Sequence, residues 1–285
     1  MNREHYREHR FLNNIHSLVQ IGAMLALLVG VGWLLFGSDL VWWIGSAVVV
    51  MMLFASKLDP FSVLRMFRAR HIQPHEAPAL YQMVQHLAQR AGLERMPALF
   101  LIPNGQANAF TVGDRNRAAI AMTHGLLNQM HQRELMGVLA HEVSHIANND
   151  TRAMFLVGLT SRLTHSLSMM GYILLFLNIP FLWSGEASIS LLAIALLIAA
   201  PHFSQLLQMA FSRTREFRAD MDAAYLTGDP MGLASALAKI ERQDTSIWAR
   251  IFAPYMRRST PTPHDSHPPT RERIRRLNSL TLRAA

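Results

Sequence analysis

The chain has 285 residues, 51% of them hydrophobic and 16% charged; a soluble globular protein carries about 25% charged residues, so part of this chain belongs in a membrane. It has no cysteine, which excludes a disulfide framework and thiolate ligands and leaves histidine and carboxylate to build any metal site. Its net charge of +8 suits an anionic surface, and beside long apolar segments a lipid surface is favoured over nucleic acid.

Residues 1–16 form a polar arm with Arg3, Arg7 and Arg10. The apolar run 17–36 that follows has about the 20 residues a helix needs to cross a bilayer core. A signal peptide fits poorly, because Gly37-Ser38-Asp39 leads at once into a second apolar stretch, 40–56, without an AxA-like cleavage site. Trp42 and Trp43 open that stretch at headgroup level, and Lys57, Arg65, Arg68 and Arg70 follow it. Residues 17–56 are therefore expected to form a transmembrane hairpin with both ends cytoplasmic.

The next segment, 57–155, has the character of a folded domain. Leu80, Met83, Val84, Leu87 and Ala88 space an amphipathic helix over 74–91, with Gly92 as its left-handed cap. Short apolar runs at 98–102 and 118–122, with 108–112 between them, predict a small sheet. A helix with an apolar stripe of Leu135, Val138, Leu139 and Val143 follows and carries HEVSH, residues 141–145. His141 and His145, four apart, share a helix face and can bind one Zn²⁺, while Glu142 is within reach of a water on the metal.

After Asp150 the helical character runs on into a second predicted hairpin, 156–210, with spans at 166–183 and 188–209. Arg152 and Arg162 precede it, Arg213, Arg215 and Arg218 follow it, and its loop, 184–187, has no Lys or Arg. By the positive-inside rule its ends are again cytoplasmic. Arg162, His165 and His202 crowd these runs, so buried helices of a soluble core are the competing reading. Residues 211–285 return to domain character. Glu216 and Asp220 share one helix face, and 229–242 is a helix with Pro230 in its first turn and Leu233, Leu237 and Ile240 apolar. A proline-rich loop at 259–269 precedes a basic terminal helix with Ile274, Leu277 and Leu280 on one side.

A catalytic zinc takes three protein ligands and keeps a position for water, so two histidines leave one place open. Glu216 is the candidate, because the intervening hairpin returns the chain to its starting side. Asp220, one turn on, is placed to accept the free ring N–H of a ligand histidine. Spacing alone leaves the alternative that Glu216 and Asp220 pair with Arg213, Arg215 or Arg218 on a solvated face.

HEVSHIANND, SRTREFRAD and SHPPTRERIRRL, threaded among four apolar segments, resemble the HtpX-type membrane zinc metallopeptidases of the M48 family. The resemblance covers most of the chain. It implies a mainly α integral membrane protein, with four transmembrane helices as two hairpins and a cytoplasmic α+β zincin-like (gluzincin) catalytic domain in two parts. It implies zinc held by His141, His145 and Glu216, Glu142 as the base, and Asp220 as the aspartate of the ExxxD motif. His267 and Arg273 correspond to a family motif that supplies positive charge to a developing oxyanion, against the alternative of a capped helix start with Arg273 exposed. Asn108, Ala109 and Phe110, in NAFTVG, correspond to a segment that lies along the substrate. Asp150 fits the pattern too and is expected to be structural. The implied activity is zinc endoproteolysis of misfolded or damaged membrane proteins at a bacterial inner membrane, with unfolded polypeptides as substrates and other membrane quality-control proteases as associates. A non-catalytic membrane scaffold or chaperone, and a prenyl-protein processing peptidase, are the competing functions.

Overall fold

The computed structural model describes residues 15–34, 46, 61–184, 191–244 and 269–282. In chain order its elements are α1 (Ile15–Leu34), α2 (Phe61–Met66), β1 (Arg70–His71), α3 (Pro78–Arg90), β2 (Ala98–Ile102), β3 (Ala109–Gly113), β4 (Ala118–Thr123), α4 (His124–Gln129), α5 (Gln132–Ala147), α6 (Asp150–Ser184), α7 (Leu191–Thr227), α8 (Pro230–Asp244) and α9 (Thr270–Leu282). They divide into two compact units, one drawn from 59–152 and 212–285, the other from 12–58 and 153–211.

The first unit is built on a four-stranded sheet in the order β1-β2-β4-β3, in which β2 and β4 are parallel and the other pairs antiparallel. Side chains alternate across it, as a pleat requires. Leu99, Ile120 and Met122 face the main core with α3, α5 and α8, while Val112, Ala119 and Ala121 face a smaller cluster under Leu64 of α2. The predicted strands are present, the middle one shifted by a residue. The predicted helix over 74–91 starts later, at Pro78, and closes at Gly92, whose φ of +69° permits the left-handed turn and lets Leu93 N–H reach the Ala88 carbonyl.

Helix α5 is fixed at both ends. His131 and Glu134 make a reciprocal capping box at its start. Along its length Gly137 allows close approach to α8: a Cβ there would lie 2.7 Å from the Leu233 amide nitrogen. At its end Arg115 Nη1 donates to the Ala147 carbonyl, closing one of the unsatisfied acceptors of the last turn. The HEVSH helix does not run on into the next apolar segment. Asn149 adopts φ +54°, and α6 begins afresh at Asp150.

In the second unit the polarity of a soluble fold is inverted. Leu18, Val19, Phe176, Leu192 and Leu206 are exposed, while Met24, Val157 and Phe211, and Val31, Leu197 and Ala200, form its inner contacts. Gly171 admits Leu197, whose Cβ would stand 2.8 Å from an added methyl. Among the described residues three helices, Ile15–Leu34, Asp150–Pro180 and Leu192–Thr227, are long and apolar enough to cross a membrane. Their outward apolar surface disfavours the soluble-core alternative for the second hairpin. The apolar stretch expected to supply a further span, 40–56, lies outside the described residues, Ser46 apart.

Candidate active site

Helices α5 and α9 and the part of α7 from residue 212 onward meet at HEVSH within the first unit. Helix α5 supplies His141, Glu142 and His145, α7 supplies Glu216 and Asp220, and α9 supplies Arg273. The ring nitrogens His141 Nε2 and His145 Nε2 are 3.1 Å apart, and the Glu216 carboxylate lies 3.4 Å from the first and 3.6 Å from the second. Donors bound about 2.0–2.1 Å from a tetrahedral zinc would stand roughly 3.3–3.4 Å from one another, so this set is at metal-binding spacing.

The opposite ring nitrogens decide which lone pairs point inward. His141 Nδ1 lies 3.0 Å from Asp220 Oδ1, and His145 Nδ1 lies 2.9 Å from Asp150 Oδ2. An ionised carboxylate only accepts, so each Nδ1 carries the hydrogen and each Nε2 turns a lone pair toward the other and toward Glu216. Two lone pairs and a carboxylate facing one another in a buried space repel unless a proton or cation lies between them. The residues therefore fit a metal ion. Asp150, expected to be structural, holds His145 and also accepts from Arg215 Nη1 at 2.6 Å. Sequence reading missed this role. The signal was the Asn-Asn-Asp sequence, in which Asn149 breaks the helix and lets Asp150 turn back toward His145.

Glu216 and Asp220 are not on a solvated face; both are buried. Their cation is Arg273, itself buried, which grips Asp220 with Nε at 2.8 Å and Nη2 at 2.6 Å and reaches Glu216 with Nη1 at 3.0 Å. The exposed Arg273 of the capping alternative is thereby excluded. Leu277 in the core and Arg276, over the Phe217 ring at 3.7 Å, seat α9 so that Arg273 points inward. His267 lies outside the described residues.

The electrostatics follow from this packing. Burial opposes the imidazolium form, but Asp220 and Glu216 outweigh it and raise His141 above the ordinary histidine value; Asp150 and Glu216 raise His145 well above it. A metal entering this site thus displaces protons.

Beside HEVSH lies β3, an edge strand among the described residues. Asn108 N–H donates to Thr123 Oγ1 and its carbonyl accepts from Thr123 N–H, so its backbone is engaged by β4. In an antiparallel ladder residues alternate, which turns the backbone groups of Ala109 and Thr111 outward and those of Phe110 inward. The Phe110 ring packs on Phe67 at 5.3 Å, on the sheet face away from α5. The Thr111 side chain faces α5, where its hydroxyl donates to Glu142 Oε2 at 2.7 Å.

A family model described as Peptidase family M48 matches residues 74–281. Two proteins named "Protease HtpX homolog" are each 36% identical to the chain: that of Acaryochloris marina over 282 residues, covering 94% of this chain and 95% of the relative, and that of Ralstonia pickettii over 293 residues, covering 94% and 96%. The crystal structure of S. mikatae Ste24p matches with a TM-score of 0.53 at 21% identity; the match covers 95% of this chain and 66% of that one, and speaks for the fold alone.

Proposed function

The chain belongs to peptidase family M48, and from that premise we propose that it is a membrane-embedded, zinc-dependent endopeptidase acting on misfolded or damaged membrane proteins and unfolded polypeptides. The observation that carries the reading is the convergence of His141 Nε2, His145 Nε2 and Glu216, with both Nδ1 atoms held by carboxylates. His141, His145 and Glu216 are the ligands. Zinc, when bound, polarises a water and the substrate carbonyl.

The chain's own residues do the rest. Glu142 takes a proton from the attacking water as the oxygen adds to the carbonyl carbon, then gives it to the amine as the C–N bond breaks. Asp220 and Asp150 keep the histidines in the liganding tautomer. Arg273 brings buried positive charge to the side of Glu216, where negative charge developing on the carbonyl oxygen needs it, and His267 is its partner in that role. An extended peptide adds to the edge of β3 through the outward backbone of Ala109 and Thr111, with Asn108 and Phe110 anchoring the strand to β4. The excess of Arg and Lys around the apolar segments, and its absence from loop 184–187, supports a site on the cytoplasmic side, and the family resemblance a bacterial inner membrane.

The test is cleavage of an unfolded polypeptide by the full chain in detergent, with fragments mapped by mass spectrometry. A chelator should abolish internal cleavage and zinc should restore it. Cleavage indifferent to the chelator, or none with zinc, would overturn the reading.

A further inference from the structure

Glu142 is buried, and a buried carboxylate that must both take and return a proton needs a fixed direction. On α5 that direction is not set by the helix alone, because the side chain has free torsions beyond Cβ. The Thr111 hydroxyl supplies the constraint. It lies 2.7 Å from Glu142 Oε2, a length typical of an O–H donating to an anionic oxygen, and 3.3 Å from the Glu142 carbonyl oxygen. Thr111 is itself stiff: it is β-branched, and its strand is held in register opposite Ile120 of β4.

A hydroxyl has one hydrogen to donate. Given to Oε2, it leaves the other carboxylate oxygen, Oε1, as the one open to a proton from the attacking water. We propose that Thr111 is a positioning residue that anchors Glu142 Oε2 and thereby makes Oε1 the oxygen that carries the proton from water to the leaving amine. No bond to Thr111 forms or breaks in this cycle. The same residue turns its backbone N–H and C=O toward the open edge of β3, so a peptide pairing there bonds to the residue that aims the base. This rests on Glu142 being the base.

The experiment compares Thr111→Val, Thr111→Ala and Thr111→Ser with the parent and with Glu142→Gln, all as full chains in detergent, measuring kcat, KM, zinc content and melting temperature. Thr111→Val and Thr111→Ala should keep zinc and a near-parental KM and lose about tenfold or more in kcat, as for loss of a hydrogen bond to a charged group. Thr111→Ser should recover most of it, and Thr111→Val should add little to Glu142→Gln because it acts through that residue. If Thr111→Val does not fold, Thr111→Ala against Thr111→Ser makes the same comparison. Parental kcat in the hydroxyl-free variants while Glu142→Gln is inactive would overturn the proposal alone, as would a loss traced wholly to missing zinc or unfolding. An active Glu142→Gln would remove the reading of the base, and this inference with it.

Discussion

Replacing Asp150 separates an orienting carboxylate from a merely structural one. Its Oδ2 is 2.9 Å from His145 Nδ1, and its Oδ1 accepts from Arg215 at 2.6 Å. Losing the partner of a ligand histidine costs about 10- to 100-fold in metal affinity, or roughly 1.4–2.8 kcal/mol. Asp150→Ala should therefore weaken zinc binding by that factor. It should also lower stability, by at most about 3–5 kcal/mol, because Arg215 is buried beside it. A contrary effect has to be separated: Asp150 helps to hold His145 well above the ordinary histidine pKa, so removing it eases competition from protons. That relief grows as pH falls, whereas the loss of orientation is present throughout, so competition titrations against a chromogenic chelator at about pH 6 and about pH 8 distinguish the two. Asp150→Asn retains an acceptor for the ring N–H and should fall between parent and alanine. Zinc affinity of folded Asp150→Ala that only converges on the parental value as pH rises, without falling below it, would refute the orienting role.

Gly137→Ala puts a methyl 2.7 Å from the Leu233 amide nitrogen and 2.9 Å from its Cα, so α5 and α8 must part. The cost of overpacking, about 1–3 kcal/mol, should exceed the gain in helix propensity of roughly 1 kcal/mol, and a melting temperature that rose instead would contradict the close contact. Burial opposes the charge on Glu134, but Lys239, Ser235 and the His131 amide hold its pKa down to about 2. Its contribution, at most about 3 kcal/mol, is thus complete above the ordinary carboxylate value and lost as pH falls from there toward 2; Glu134→Gln should flatten the acid limb of a stability profile, and an unchanged limb would count against the anchor. Cysteine labels in 37–39 and 184–187 should react from the periplasm, and labelling of position 264 from that side would reverse the proposed topology.

The HEVSH helix and the apolar strands were legible because each repeats with its own period, and both histidines depend only on one helical turn. Glu216 and Asp220 were legible as a pair but not in their environment, since burial and the grip of Arg273 come from α9, 53 residues beyond Asp220. Asp150 and Thr111 were less visible. The first depends on the left-handed Asn149 that ends α5, the second on the register of β3 against β4, and neither leaves a periodic trace.

The proposed roles, with His141, His145 and Glu216 holding zinc and Glu142 moving the proton, are tested together by measuring bound zinc and turnover in two variants. Glu142→Gln should retain its zinc and lose at least about 10²-fold in kcat, because it removes the base and no ligand. Glu216→Ala should lose both zinc and activity. Tight, full zinc occupancy in Glu216→Ala, or undiminished turnover in Glu142→Gln, would contradict the account.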